Sequence, residues 1–160
     1  MLELVPPDEI DDDWPFRDRG QPRQRLSAGS RLAAIRRTLY ESALSAIGTG
    51  RAPRVTTYVC AAPGTDADAA HAVLARYAEA RQWRLSREHF TDGPTTLPLE
   101  PRPAFIRACR YAGSGYADGI LACDRTAMPA ADETYESYLR WLHSRCAFIA
   151  YLPPIYEGQS

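Results

Sequence analysis

The sequence predicts an α/β fold: a doubly wound, mainly parallel sheet of four strands, or five, preceded by an added amphipathic helix. After Pro53, short β-rich apolar runs alternate with segments of helical periodicity. One run, 119–123, is apolar throughout, as expected for a strand covered on both faces. Strands separated by helices favour parallel pairing with right-handed crossovers. A chain of 160 residues is long enough for one such core with an appended arm.

Seven elements are predicted for this α/β part. The strands are at 55–61, 83–90, 119–123 and 147–152, and the helices are at 66–81, 102–111 and 132–145. Gly113 and Gly115 end the second of these helices.

An amphipathic helix is predicted over 30–47, ahead of the first strand. Its apolar positions recur at helical spacing and include Leu32, Leu39 and Ala43, and Gly48 follows its end. We expect its apolar stripe to be buried on the domain that follows. The predicted organisation is therefore an arm at 1–29, a helix at 30–50 and an α/β domain at 51–160.

The arm is predicted to be flexible because it is rich in proline and acidic residues, with a cluster at 8–13. It also carries two aromatic residues, Trp14 and Phe16. One interpretation is a solvated tail. The other is that Trp14 and Phe16 anchor the arm to a partner protein, since aromatic residues are enriched among binding hot spots.

Composition sets limits on function. The net charge of −1 gives no overall basic footprint, so nucleic-acid binding is not supported by charge. The cysteines at 60, 109, 123 and 146 form no C-x-x-C pair, so no metal or cofactor is predicted. The sequence shows neither a signal peptide nor an apolar run of the roughly 20 residues needed to cross a bilayer, so we expect a cytoplasmic protein.

The end of the first strand offers little chemistry. The "APGT" turn that follows it could bind an anion at a helix N-terminus, but Asp66 and Asp68 would repel a phosphate there, and a capped helix is favoured. Cys60 could be a nucleophile, but no histidine can be paired with it from the sequence. The alternative is an inert core thiol.

A second cluster of polar residues lies on the carboxyl-end side of the predicted sheet. Asp92 follows the second strand, Arg102 begins a helix, and Asp124 and Arg125 follow the third strand. Together with Tyr58 and Cys60 they would line a candidate anion-binding pocket. The alternative is an ion-pair network in which these side chains satisfy one another.

The order of these motifs resembles the catalytic domain of the serine recombinases, the resolvase and invertase family, over residues 54 to 152. The family pattern runs from Y-x-R-x-S, through an acidic residue and R-P, to an apolar strand ending in D-R-L-x-R. The matching positions here are Tyr58, Asp92, Arg102-Pro103, "GSGYADGILAC" and Asp124-Arg125. The resemblance implies a resolvase-like fold and a link to DNA.

This sequence departs from the family pattern where the reaction would occur. Cys60 and Ala62 stand at the positions of the arginine and the nucleophilic serine, and Met128 stands at the second arginine of D-R-L-x-R. Family members continue into a long dimerising helix, which we expect this chain, ending at Ser160, to lack. We expect the helix at 30–47 to cover the surface that such a helix would shield.

These departures predict a protein that is not an enzyme but a resolvase-like interaction or regulatory module, with another protein as its partner and a homodimer also compatible. One alternative is a domain or enzyme that binds a phosphorylated small molecule in the Asp/Arg pocket. Another is a DNA-binding accessory protein with a basic strip formed by Arg23, Arg25, Arg31, Arg36 and Arg37.

Overall fold

A five-stranded parallel sheet forms the centre of the structure. The computed structural model describes residues 21–93 and 102–154. The strands are β1 (Arg54–Cys60), β2 (Arg84–Leu85), β3 (Phe90–Asp92), β4 (Gly119–Ala122) and β5 (Phe148–Tyr151). They are arranged in the order β2-β1-β4-β5, with β3 also paired to β1, and every pair is parallel. The predicted parallel α/β sheet is confirmed.

The fifth strand arises because the second predicted strand, 83–90, is interrupted. Between β2 and β3 the backbone carbonyl of Glu88 accepts hydrogen bonds from the hydroxyls of Thr56 and Ser86, at 2.8 and 2.9 Å. These side-chain bonds take the place of the strand ladder at this point. The strand then resumes as β3 at Phe90, the predicted end, and continues two residues further, to Asp92.

Three helices connect the strands: α2 (Ala67–Ala80), α3 (Pro103–Gly113) and α4 (Asp132–Ser144), after the N-terminal helix α1 (Gln21–Ile47). Asp66 caps α2 by accepting a hydrogen bond from the amide of Ala69 at 3.1 Å. Pro103 occupies the first turn of α3, where its missing N–H costs nothing. Each of these three connecting helices lies within a few residues of its predicted position.

The helices cover both faces of the sheet. On one face, Val55, Val59 and Leu121 form a buried cluster with Leu74 of α2 and with Phe148. Because side chains alternate along a strand, Tyr58 and Tyr151 point to the opposite face. There Tyr58 meets Phe105 of α3, and Tyr151 meets Tyr135 of α4. The sheet is therefore doubly wound, as predicted.

Helix α1 begins at Gln21, nine residues before the predicted helix at 30–47 and within the segment that was expected to be a flexible arm. Pro22 lies in the first turn, where proline is tolerated, and the glutamine, arginine and leucine residues that follow favour a helix. Residues 1–20, including Trp14 and Phe16, lie outside the described residues.

The chain divides into two compact units, Met1–Ile35 and Arg36–Ser160. Within the second unit, Ala43 of α1 is buried, and the Tyr40 ring makes edge-to-face contacts with Trp83 and Phe148. Arg36 donates a hydrogen bond to the carbonyl of Ile149 in β5 at 2.9 Å. The second half of α1 is thus part of the α/β unit. In the described parts of the chain, no helix is both long and apolar enough to span a bilayer.

Candidate functional site

The carboxyl end of β1 presents few polar side chains. Cys60 is half-buried, Ala61 is buried, and the methyl group of Ala62 is exposed. A tight turn follows, in which the amide of Thr65 donates to the carbonyl of Ala62 at 3.0 Å. Ala62, where the family resemblance places a serine, therefore brings only an apolar group to this edge of the sheet.

Asp92 lies beside Cys60, because the two residues are paired in register on β3 and β1. Its carboxylate is buried and accepts three hydrogen bonds: from the Tyr58 hydroxyl at 2.8 Å, and from the amides of Ala104 and Phe105 at 2.9 and 3.0 Å. The last two are free N–H groups in the first turn of α3. Asp92 therefore caps α3 from a neighbouring strand and complements the positive end of the helix dipole.

Arg102 connects this carboxylate region to the end of β4. Its side chain is buried, and one guanidinium nitrogen donates to Cys60 Sγ at 3.0 Å and to the carbonyl of Ala127 at 2.9 Å. Burial, together with the hydrogen bond to Asp92, raises the pKa of the Tyr58 phenol, while Arg102 opposes that rise. Tyr58 consequently remains a protonated donor.

Asp124 and Arg125 do not join this group in the structure. Asp124 caps a short 3₁₀ turn over Arg125–Ala127 by accepting from the amide and hydroxyl of Thr126. Arg125 donates to the carbonyls of Pro129 and Ala130 at 2.7 and 3.3 Å. It also pairs with Asp132 at 3.2 Å and lies 3.9 Å above the Tyr135 ring.

The predicted pocket therefore divides into two separate groups. Tyr58, Cys60, Asp92 and Arg102 form one connected network, and Asp124 and Arg125 form a second, local one. The contacts made by Arg102 and Arg125 are those of internal hydrogen-bond networks. Met128, at the position of the second family arginine, is almost wholly buried at 1% exposure and contributes to the core.

Two features escaped the sequence analysis because their partners are distant in the chain. In the first, the hydroxyls of Tyr135 and Tyr151 share a hydrogen bond at 2.6 Å, and Arg36 lies 4.9 Å above the Tyr151 ring. Burial raises the pKa of both phenols, against the opposing effect of the arginines. Arg36, predicted for an exposed basic strip, is thus engaged on β5.

The second feature is His71 on α2, for which the sequence gives no partner. Its Nδ1 atom lies 2.8 Å from the Thr57 hydroxyl, and its Nε2 atom lies 2.8 Å from the Thr91 hydroxyl. Burial and the neighbouring His89 lower the pKa of His71 to about 4, although Asp68 opposes the shift. His71 is therefore a neutral residue that joins α2 to two strands.

A groove of about 690 Å³ lies between α3 and α4 and is lined by Ile106, Cys109, Arg110, Thr134, Ser137, Tyr138 and Trp141. Burial raises the pKa of the Cys109 thiol to about 12, which keeps it protonated. Across the described residues, no cluster of three or more histidine, cysteine or acidic side chains is placed to hold a metal ion.

Comparison with known proteins supports the fold. No family model matches the sequence, and no curated protein matches it. Among solved structures, the chain is similar to the N-terminal catalytic domain of TP901-1 integrase, with 20% identity and a TM-score of 0.53. The match covers 62% of this chain and 76% of that one. The chain therefore has a parallel α/β fold that resembles the fold of that integrase domain.

Proposed function

We propose that this chain is a non-catalytic, recombinase-like interaction or regulatory module that acts in the cytoplasm in a DNA-related process. The observation that carries the proposal is the exposed methyl group of Ala62 at the end of β1. Strand transfer in serine recombinases needs a hydroxyl that attacks phosphorus, and a methyl group cannot form that bond. The protein would then act by binding other molecules and not by catalysis.

The state of the remaining cationic groups supports the same proposal. A phosphoryl-transfer site needs donors that point to the position where charge develops. Arg102 instead donates to Cys60 and Ala127, and Arg125 donates to two backbone carbonyls of its own loop. These N–H groups are directed at atoms of the protein itself and not at a bound phosphate.

The link to DNA rests on fold analogy with the TP901-1 integrase domain and with the recombinase-like order of motifs. A fold hosts many functions, so the analogy suggests only the process in which the module works. The proposed lack of catalysis rests on Ala62 and the two arginines.

An adduct assay tests the absence of catalysis. The purified full chain is incubated with supercoiled plasmid and analysed on denaturing gels for covalent protein–DNA species and for nicked DNA. We expect neither species in the wild type or in Cys60→Ala. A covalent adduct would contradict the proposal. Its loss in Cys60→Ala would identify the thiol as the attacking group.

The proposed partner is another protein, bound through Trp14 and Phe16 in the N-terminal segment. The test is affinity capture with the full chain and with a Trp14→Ala/Phe16→Ala variant, and Val5→Ala/Ile10→Ala serves as the matched control for lost apolar area. We expect capture to fail only for the aromatic variant. Equal recovery by all three proteins would remove these residues from the proposal.

One alternative keeps a specific observation in its favour: buried Arg102 and half-buried Cys60 meet at the carboxyl edge of the sheet, where α/β proteins bind ligands. That arrangement would suit a phosphorylated small molecule. A saturable thermal shift with sugar phosphates that disappears in Cys60→Ala would favour this alternative over the interaction module.

A further inference from the structure

A small polar pocket lies at the opposite, amino-terminal end of the sheet. It has a volume of about 180 Å³ and is lined by Arg51, Ala52, Arg54, Arg84, Gly115, Tyr116, Ala117 and Asp118. Arg54 and Arg84 are the first residues of β1 and β2, and Asp118 immediately precedes β4. Since parallel strands all begin at the same edge, three separate segments bring their charged residues together here.

The pocket carries an excess of positive charge. Arg54 and Arg84 are paired in register on adjacent strands, and like charges placed side by side in this way are destabilising. Among the described residues that line the pocket, Asp118 is the single carboxylate, whereas three are arginines. The described lining therefore has a net positive charge.

Asp118 is already fully engaged. It forms a bidentate pair with Arg51, with both distances at 2.8 Å, and accepts a hydrogen bond from the backbone amide of Arg54, also at 2.8 Å. The hydrogen bond from Arg51 lowers the pKa of Asp118, which keeps the carboxylate ionised. A bound anion would neutralise the charge that remains on Arg54 and Arg84.

An aromatic ring stands at the edge of the same pocket. Tyr116 is 63% exposed, which makes it the most exposed large hydrophobic side chain in the described residues. One side of its ring is stacked on Tyr111, with centroids 5.3 Å apart and an angle of 23° between the planes. Tyr111 in turn contacts Phe90 of β3. Tyr116 is thus a supported ring with much of its surface open to a planar partner.

We propose that this pocket, which we call the Arg84 pocket, binds the phosphate of a nucleotide unit while Tyr116 stacks on the base. Arginine recognises phosphate through planar, charge-assisted hydrogen bonds. Base stacking on aromatic rings beside a cationic groove is the usual mode of binding single-stranded nucleic acid. The same unit could come from a free nucleotide or from a single strand.

The size of the pocket agrees with this division of roles. At about 180 Å³ it is smaller than the roughly 300 Å³ of pockets that enclose a small organic ligand. It has room for a phosphate group, whereas the base would lie outside, where Tyr116 is exposed. The inference uses none of the residues at the carboxyl end of the sheet and does not depend on the proposed function.

The test is fluorescence anisotropy of the full chain with a labelled oligothymidylate of about 12 nucleotides at low salt. We expect Arg84→Ala and Tyr116→Ala each to weaken binding by about tenfold, and Tyr116→Phe to bind like the wild type because the ring is kept. Arg76→Ala is the matched control, since Arg76 is an exposed arginine on α2 outside the pocket. Thermal melting checks that each variant is folded.

Competition distinguishes the two sources of the ligand. Displacement of the probe by adenosine monophosphate at low concentration indicates a free nucleotide, and displacement only by an unlabelled single strand indicates nucleic acid. Either result supports the Arg84 pocket, provided that Arg84→Ala and Tyr116→Ala also weaken binding of the probe. The proposal is overturned if the probe does not bind at low salt. It is also overturned if Arg76→Ala weakens binding as much as Arg84→Ala, or if Tyr116→Ala binds like the wild type.

Discussion

Asp92 shows how one buried carboxylate can hold three elements together. The residue belongs to β3, its hydrogen-bond donors belong to β1 and α3, and no side chain on α3 itself caps that helix. A buried charge is costly unless it is paired or hydrogen-bonded, and here both carboxylate oxygens accept hydrogen bonds. We interpret Asp92 as a structural residue at a position where the family resemblance suggested a site.

This interpretation predicts a large effect of Asp92→Ala. The substitution leaves the Tyr58 hydroxyl and two helix amides without their acceptor, so we expect the free energy of unfolding to fall by about 3 kcal/mol. Asp124→Ala is the matched control, since Asp124 caps only a short turn, and we expect it to cost about 1 kcal/mol. Urea denaturation measures both values. Equal decreases in the free energy of unfolding for the two variants would contradict the larger structural role of Asp92.

His71 provides a second prediction at the residue scale, this time on pH. The folded protein holds the pKa of His71 at about 4, whereas an unfolded chain gives histidine a value of about 6.5. Below pH 6.5 the imidazole of His71 therefore binds a proton in the unfolded state but remains neutral in the folded state until the pH approaches 4. The stability linked to His71 is fully present above pH 6.5 and is lost as the pH falls towards 4.

We expect this linkage to be worth about 1 to 2 kcal/mol, after allowance for partial solvation of the ring. Urea midpoints are measured from pH 7 to pH 4.5 for the wild type, for His71→Gln and for His143→Gln, whose histidine is exposed. The His71→Gln variant should show a shallower decline than the other two proteins. Parallel curves for all three would show that His71 does not carry the effect.

At the scale of elements, the order of strands and helices could be read from periodicity, because it depends on local patterns of apolar residues. The break between β2 and β3 could not be predicted in this way, because it depends on a hydrogen bond from the Thr56 hydroxyl to the carbonyl of Glu88, which is distant in the chain. The same holds for the capping of α3 by Asp92. The contacts of Arg125 with Pro129 and Asp132 span at most seven residues, so they could have been predicted from the sequence of this loop.

The exposed edge of the sheet gives a prediction for α1. Arg36 donates to the carbonyl of Ile149 on edge strand β5 and lies over the Tyr151 ring, so it covers a strand edge that would otherwise be open to pairing. We expect Arg36→Ala to lower the free energy of unfolding by about 1 to 2 kcal/mol. Arg37→Ala, an exposed neighbour on the same helix, should change it by less than about 0.5 kcal/mol. Thermal and urea melts that shift equally for both would contradict this role.

At the scale of the whole molecule, the two ends of the sheet differ in how their charge is satisfied. At the carboxyl end, Asp92 and Arg102 are buried and hydrogen-bonded to the protein itself. At the amino end, Arg54 and Arg84 lie side by side with a carboxylate that Arg51 already holds. We therefore expect an anion to bind more readily at the amino end of the sheet than at the carboxyl end.

The place of α1 in the α/β unit can be tested by truncation. A fragment of residues 36–160 keeps Tyr40 and Ala43 on the core, whereas a fragment of 51–160 uncovers the faces of Trp83 and Phe148 that Tyr40 contacts. We expect the longer fragment to unfold cooperatively, and the shorter one to be insoluble or to bind the dye ANS, because newly exposed aromatic surface favours aggregation. Cooperative unfolding of 51–160 without dye binding would show that the sheet does not need α1.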